Sequence, residues 1–81
     1  MNVEIITPEA YLYSGEIKSI SLPGELGIFE ILHNHAPLIS TLIKGKIKIV
    51  EPTGYTETFE VNGGVVEVVN NEIKVLIENL S

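Results

Sequence analysis

The segment KIKIVEPTGYTETFEV, residues 46–61, decides the fold. In its first part Ile47 and Ile49 alternate with Lys46 and Lys48, the period of two that gives a strand one buried face and one wet face. The following E-P-T-G supplies turn chemistry, because proline presets φ and glycine accepts a positive one. The alternation then resumes, with Tyr55, Phe59 and Val61 on one side and Thr56, Thr58 and Glu60 on the other. This pattern predicts a hairpin.

The same signals recur along the rest of the chain. Residues 3–7, VEIIT, form a short β-branched run stopped by Pro8. Residues 10–22 read as a longer strand broken near Gly15, followed by the turn P-G-E-L-G at 23–27. Residues 65–69 and 73–78 flank N-N-E, and asparagine tolerates the positive φ that tight hairpins demand. Only residues 36–43, APLISTLI, approach a helical period, with Leu38, Ile39 and Leu42 on one side, and Pro37 and the β-branched residues weaken it. Short strands recurring every 8–12 residues or so predict two packed antiparallel sheets. The expected fold is an all-β antiparallel β-sandwich, one domain over residues 1–81, with no linker, repeat or low-complexity tract. The last segment, residues 74–81, ends just past a strand.

Composition sets the limits. At 81 residues and 44% hydrophobic, the chain suits one core, and a domain of this size buries only about 60% of the surface its unfolded chain exposes. The absence of cysteine excludes a disulfide framework and thiolate metal sites. Eleven glutamates, no aspartate, five lysines and no arginine give a formal net charge of -6. That balance excludes a nucleic-acid binder, which needs clustered cations to displace counterions, and suits basic or polar protein partners. Apolar runs fall far short of the roughly 20 residues that span a bilayer. The N-terminal stretch carries Glu4 and lacks a basic n-region, so no secretion signal is predicted. These features lead us to expect a soluble, intracellular chain.

The residues capable of chemistry are few. His33 and His35, two apart, would share one side of an extended segment and so could share a metal, with Glu30 the nearest further ligand. Asn34 and Pro37 make this segment a turn, however. The competing reading is a loop histidine whose ring nitrogen bonds a backbone carbonyl and locks that turn, or which touches a partner. No serine stands in G-x-S-x-G, and without aspartate only a glutamate could orient a base. Glycines 24, 27, 45, 54, 63 and 64 open no phosphate loop and read as turn glycines supplying positive φ. Composition and spacing thus give a β-sandwich with no catalytic residue, cofactor or metal assigned.

Two stretches, PGELGIFEILHNHAPLISTLIKGKIKI and, downstream, NGGVVEVVNNEIKVLIE, resemble the N-terminal domain of the epsilon subunit of F-type ATP synthases, called delta in mitochondria. Pro23, Gly24, Gly27, Leu32, Asn34, His35, Ala36, Pro37, Leu38, Leu42, Gly45, Ile47, Ile49, Gly63 and Gly64 fit the family pattern without gaps, and the match covers essentially the whole chain. There are departures. Glu30 stands where many members have glycine, His33 where proline or a small residue is frequent, and Asn62 replaces the serine of S-G-G. The chain also ends before the two-helix C-terminal hairpin of most members, so it is expected to lack the brake and the ATP site associated with that hairpin.

The resemblance implies a non-catalytic central-stalk subunit that binds gamma and the c-ring and helps couple proton- or sodium-driven rotation to ATP synthesis. It would bind no nucleic acid and no ATP, and would meet the membrane only through the complex, on the cytoplasmic face of the bacterial inner membrane. Pro23, Gly24, Glu25, Leu26, Gly27 and Ile28 fall where the family contacts the ring. The acid of that contact maps onto Ile28 in the ungapped register, but Glu25 is the only acid in the turn, so Glu25, Leu26 and Ile28 are expected to face the ring. Thr7, His35 and Ser40 fall at gamma-facing positions. The competing readings are a strand-end residue for Thr7 and a local backbone hydrogen bond for Ser40. Two alternatives remain for the whole chain: a generic β-sandwich interaction module binding peptides along an open sheet edge, and a small metal-dependent hydrolase using Glu30, His33 and His35.

Overall fold

The computed structural model describes residues 1–79, so the end of the last predicted segment, residues 80–81, lies outside the described residues. Among the described residues every regular element is a strand: β1 (Asn2–Ile6), β2 (Tyr11–Glu16), β3 (Ser19–Gly24), β4 (Gly27–Ile31), β5 (Leu38–Leu42), β6 (Gly45–Val50), β7 (Thr56–Val61), β8 (Gly64–Val69) and β9 (Glu72–Ile77). The order is β2-β1-β9-β8-β5-β3-β6-β7, with β4 paired to the remaining edge of β3. The fold is therefore all-β, a sandwich made from one curled sheet.

The two halves were expected as separate antiparallel sheets, and two details differ. A single register pair, Gly24 with Leu42, joins β3 to β5 and makes the sheet continuous. The pair β1–β9 is parallel, which is possible only because the whole chain between them serves as the crossover.

The 46–61 hairpin forms as predicted, with β6 and β7 paired from Gly45–Val61 to Val50–Thr56. Ile47 and Ile49 are fully buried, while Lys46 and Lys48 are exposed. Tyr55 does not join the inward row. It precedes β7 at the turn and is exposed, whereas Glu57, Phe59 and Val61 hold the inward parity. Predicted residues 10–22 divide into β2 and β3 at Ile17 and Lys18, two residues beyond Gly15, and the two strands enter opposite halves. Two strands were not foreseen. β4 is too short and too unevenly apolar to show a period, and β5 occupies the stretch with the weak helical pattern, where Pro37 and cross-strand pairing to β8 outweigh that period.

The core takes alternate residues from both halves, including Val3, Ile5, Val66 and Val75 from one and Ile20, Leu22, Ile47 and Ile49 from the other, and no polar side chain is buried among the described residues. Each such aliphatic side chain contributes about 1.5–3 kcal/mol by leaving water. The β3–β5 pairing closes one side of the curl. Across the opposite side, Tyr13 of β2 meets Phe59 of β7 edge to face, with ring centroids 6.4 Å apart, and donates a 2.5 Å hydrogen bond to Glu51.

The glycines divide by cause. Gly27, Gly54 and Gly63 have positive φ as expected, but Gly24, Gly45 and Gly64 do not. Those three are required by close approach instead: a Cβ on Gly64 would lie 2.2 Å from the carbonyl oxygen of Leu76.

Candidate functional site

The β3–β4 hairpin builds the first surface. Gly24 pairs with Gly27, leaving Glu25 and Leu26 as a two-residue tip, and the positive φ of Gly27 (127°) closes the turn. A Cβ on Gly24 would fall 2.8 Å from the Phe29 ring, so only glycine lets that ring close over the base of the finger. The six-residue turn of the sequence reading is thus split. Pro23 and Gly24 are buried within β3, whereas Glu25, Leu26, Gly27 and Ile28 are exposed. Leu26 is fully exposed and Ile28 is 80% exposed. The Glu25 carboxylate accepts a hydrogen bond from the Thr41 hydroxyl of β5, and a hollow of about 590 Å³ opens between the tip and β5.

A second surface lies on the outer face of the half formed by β2, β1, β9, β8 and β5. Register places Tyr11 beside Ile6, Ile6 beside Leu76, Leu76 beside Val65 and Val65 beside Thr41. Residues in register share a face, so these side chains form one row across five strands. Tyr11 is 67%, Leu76 49% and Val65 37% exposed, with Ile6 half-buried. A shallow hollow of about 480 Å³ over this row is also lined by Pro8, Leu42 and Glu78. The parallel row two residues along is charged, with Lys74 between Glu4 and Glu67. The apolar row therefore ends at Thr41, where the finger begins.

The predicted gamma-facing residues do not form one cluster. Thr7, just past β1, lies at the end of the apolar row and closes a tight turn: its N–H donates to the Ala10 carbonyl at 2.8 Å, and its Oγ1 accepts the Ala10 N–H at 3.1 Å. Ser40 is half-buried on the inward parity of β5, and its hydroxyl donates to the Thr41 carbonyl at 3.2 Å. His35 lies at the opposite end of this half, in the β4–β5 loop. Its Nδ1 is 2.7 Å from the Ala36 carbonyl oxygen, which can only accept, so Nδ1 carries the proton. Each of the three makes a local bond that fixes its own turn or strand.

The N-H-A-P-L motif has a structural reason beyond His35. Asn34 adopts φ 64°, its N–H donates to Asn71 Oδ1 at 2.7 Å, and its own Oδ1 accepts from Asn71 Nδ2 at 3.0 Å. Asn70 and Asn71 both have positive φ, as the N-N-E turn required. The reciprocal amide pair ties the β4–β5 loop to the β8–β9 turn. Ala36, Pro37 and Leu38 then lead the chain into β5.

Glu30 sits on β4, exposed and opposite Ser21, and no group of three histidine or glutamate side chains gathers to hold a metal among the described residues. One titration is clearly displaced. Burial, then the bond to Glu51, then the negative charges of Glu51 and Glu57 push the Tyr13 phenol from 10.0 to about 12. Sequence reasoning missed Thr41, Asn71 and the apolar row. The alternation of residues 73–78 announces that Leu76 points outward, but not which outward residues of other strands become its neighbours.

The family model for the ATP synthase delta/epsilon chain, beta-sandwich domain, matches residues 1–81. The ATP synthase epsilon chain of Nitratiruptor sp. is 41% identical over 78 residues, covering 96% of this chain and 60% of that one. The epsilon chain of Chlorobaculum tepidum is 38% identical over 79 residues, covering 98% of this chain and 90% of that one. The chain thus spans about three fifths of the first relative and nine tenths of the second. Among solved structures, a chain of the Euglena gracilis mitochondrial ATP synthase superposes with TM-score 0.90 at 12% identity, covering 98% of this chain and 51% of that one. A chain of the Tetrahymena thermophila mitochondrial ATP synthase central stalk and c-ring gives 0.83 at 20% identity, covering 99% and 64%. At these identities the two structures establish the fold.

Proposed function

The chain belongs to the ATP synthase delta/epsilon β-sandwich family, and on that premise we propose that it is a non-catalytic central-stalk subunit, docking on gamma and on the c-ring so that ion-driven rotation is transmitted to catalytic sites on other subunits. The observation that carries this reading is the exposed apolar surface in two parts, the outer row of Ile6, Leu76 and Val65 and the finger of Leu26 and Ile28, which meet at the polar Thr41–Glu25 bond. A monomeric domain gains nothing by exposing that surface, whereas a rotor component gains grip. The row serves as the gamma-facing surface and the finger as the ring-facing one. A closely packed aliphatic core beneath them resists deformation under load. Net charge of -6 favours approach to polar or basic loops, and the complex places the chain peripherally on the cytoplasmic face of the bacterial inner membrane.

Capture of purified gamma at low and high salt tests this reading. Apolar docking predicts only partial loss at high salt. Leu76→Glu should reduce capture at least tenfold, as expected for a charge placed in a desolvated interface at about 1.4 kcal/mol or more. Complete loss of wild-type binding at moderate salt, or full capture by Leu76→Glu, would refute it.

A further inference from the structure

We infer that Thr41 is a positioning residue for the tip of the β3–β4 finger: by holding the Glu25 carboxylate it fixes the orientation in which Leu26 stands out from the sandwich, beside an Ile28 already held by the β3–β4 pairing. Three successive links join β5 to the base of this finger. The Ile43 N–H donates to the Pro23 carbonyl at 2.9 Å, Leu42 pairs with Gly24, and Thr41 donates its hydroxyl to Glu25. The first is a backbone bond to Pro23 and the second a register pair at Gly24. Beyond them the finger holds only Glu25 and Leu26 before it turns back at Gly27, so the side-chain bond from Thr41 is the last restraint before the tip.

Without that restraint a two-residue tip with one fully exposed leucine has little to define its direction. The Gly27 position has nothing packed within 4 Å of where a Cβ would stand, and the hollow of about 590 Å³ behind the tip leaves room for it to swing. The bond also occupies the only carboxylate of the turn, so the finger presents apolar side chains as its grip. Thr41 is in register with Val65 and therefore terminates the apolar row as well. One residue thus belongs to both surfaces, with opposite demands on its chemistry: the row tolerates an apolar side chain there, and the finger requires a hydroxyl.

This difference provides the test. Thr41→Val keeps shape and removes the hydroxyl, Thr41→Ser keeps the hydroxyl, and Glu25→Ala removes the acceptor. In the free protein, amide hydrogen exchange at residues 25–27 should accelerate about fivefold in Thr41→Val and in Glu25→Ala, as expected for loss of one hydrogen bond, and stay at the wild-type rate in Thr41→Ser, while the hydrogen-bonded amides of Glu51 and Gly54 in the β6–β7 turn keep their wild-type rates throughout. Exchange in Thr41→Val equal to wild type, or the same acceleration at Glu51 and Gly54, would overturn the positioning role. The consequence for docking rests on the function proposed above and is read separately. Thr41→Val should gain several-fold less affinity than Thr41→Ser when the c-ring is added to purified gamma. Should the wild-type chain capture gamma but gain nothing from the ring, the ring-facing reading fails, and the exchange result still decides the role of Thr41.

Discussion

Replacing Tyr13 by phenylalanine removes one hydroxyl at the side of the curl that no backbone pairing closes. The aromatic contact with Phe59 survives the change, so the variant isolates the 2.5 Å bond to Glu51. A hydrogen bond to a charged partner contributes about 1.5–3 kcal/mol when shielded from water. Tyr13 and Glu51 are both half-exposed, so solvent screening reduces this to about 1 kcal/mol. For a domain of this length that corresponds to a fall in melting temperature of about 4–8 °C at pH 8. The pH dependence adds a second signature. The phenol titrates near 12 in the folded chain against 10.0 when unfolded. Between these values the folded state holds a proton that the unfolded state has released, so stability falls as pH rises from 10 to 12. With screening, about 1 kcal/mol is lost over that interval. Phenylalanine has no proton to lose, so the gap between wild type and variant should close across the same range. Thermal melts of both proteins at pH 8, 10, 11 and 12 measure this. Equal melting temperatures at pH 8, or a gap that stays constant up to pH 12, would show that the bond does not hold the two edges together.

Two further substitutions check other parts of the fold. Gly64→Ala places a methyl group 2.2 Å from the Leu76 carbonyl oxygen, which should force β8 from β9 and destabilise by about 3 kcal/mol in chemical denaturation; a near-neutral result would mean that the two strands can shift without loss. A double-mutant cycle of Asn34→Ala and Asn71→Ala should give a coupling of about 0.5 kcal/mol, as for the one exposed side-chain bond that needs both residues, since Asn34→Ala keeps the N–H that Asn71 accepts; additive effects would show that this bond does not tie the loop to the turn.

The parts of the fold readable from the chain are those set by neighbours along it. Ile47 and Ile49 against Lys46 and Lys48 state a strand, its inward face and its partner across a turn within 16 residues, and the asparagines at 70 and 71 state the backbone angles of their hairpin. β4 and β5 were not readable, because β4 lacks a clear alternation of apolar and polar residues and β5 is stabilised by β8, far away in sequence. The resemblance located the finger as a turn of six residues. In three dimensions it is a two-residue tip on a buried base, because Gly24 packs against Phe29 and pairs with Leu42.

Local periodicity, turn chemistry and composition thus determined the class of fold, one acidic domain of short strands around an aliphatic core, since each of these depends on residues a few positions apart. Which outward-facing residues become neighbours was decided only in three dimensions. Ile6, Val65 and Leu76 share a row, and Glu25 reaches Thr41 across sixteen positions, because register between distant strands is set by closure of the whole curled sheet, which no local pattern encodes.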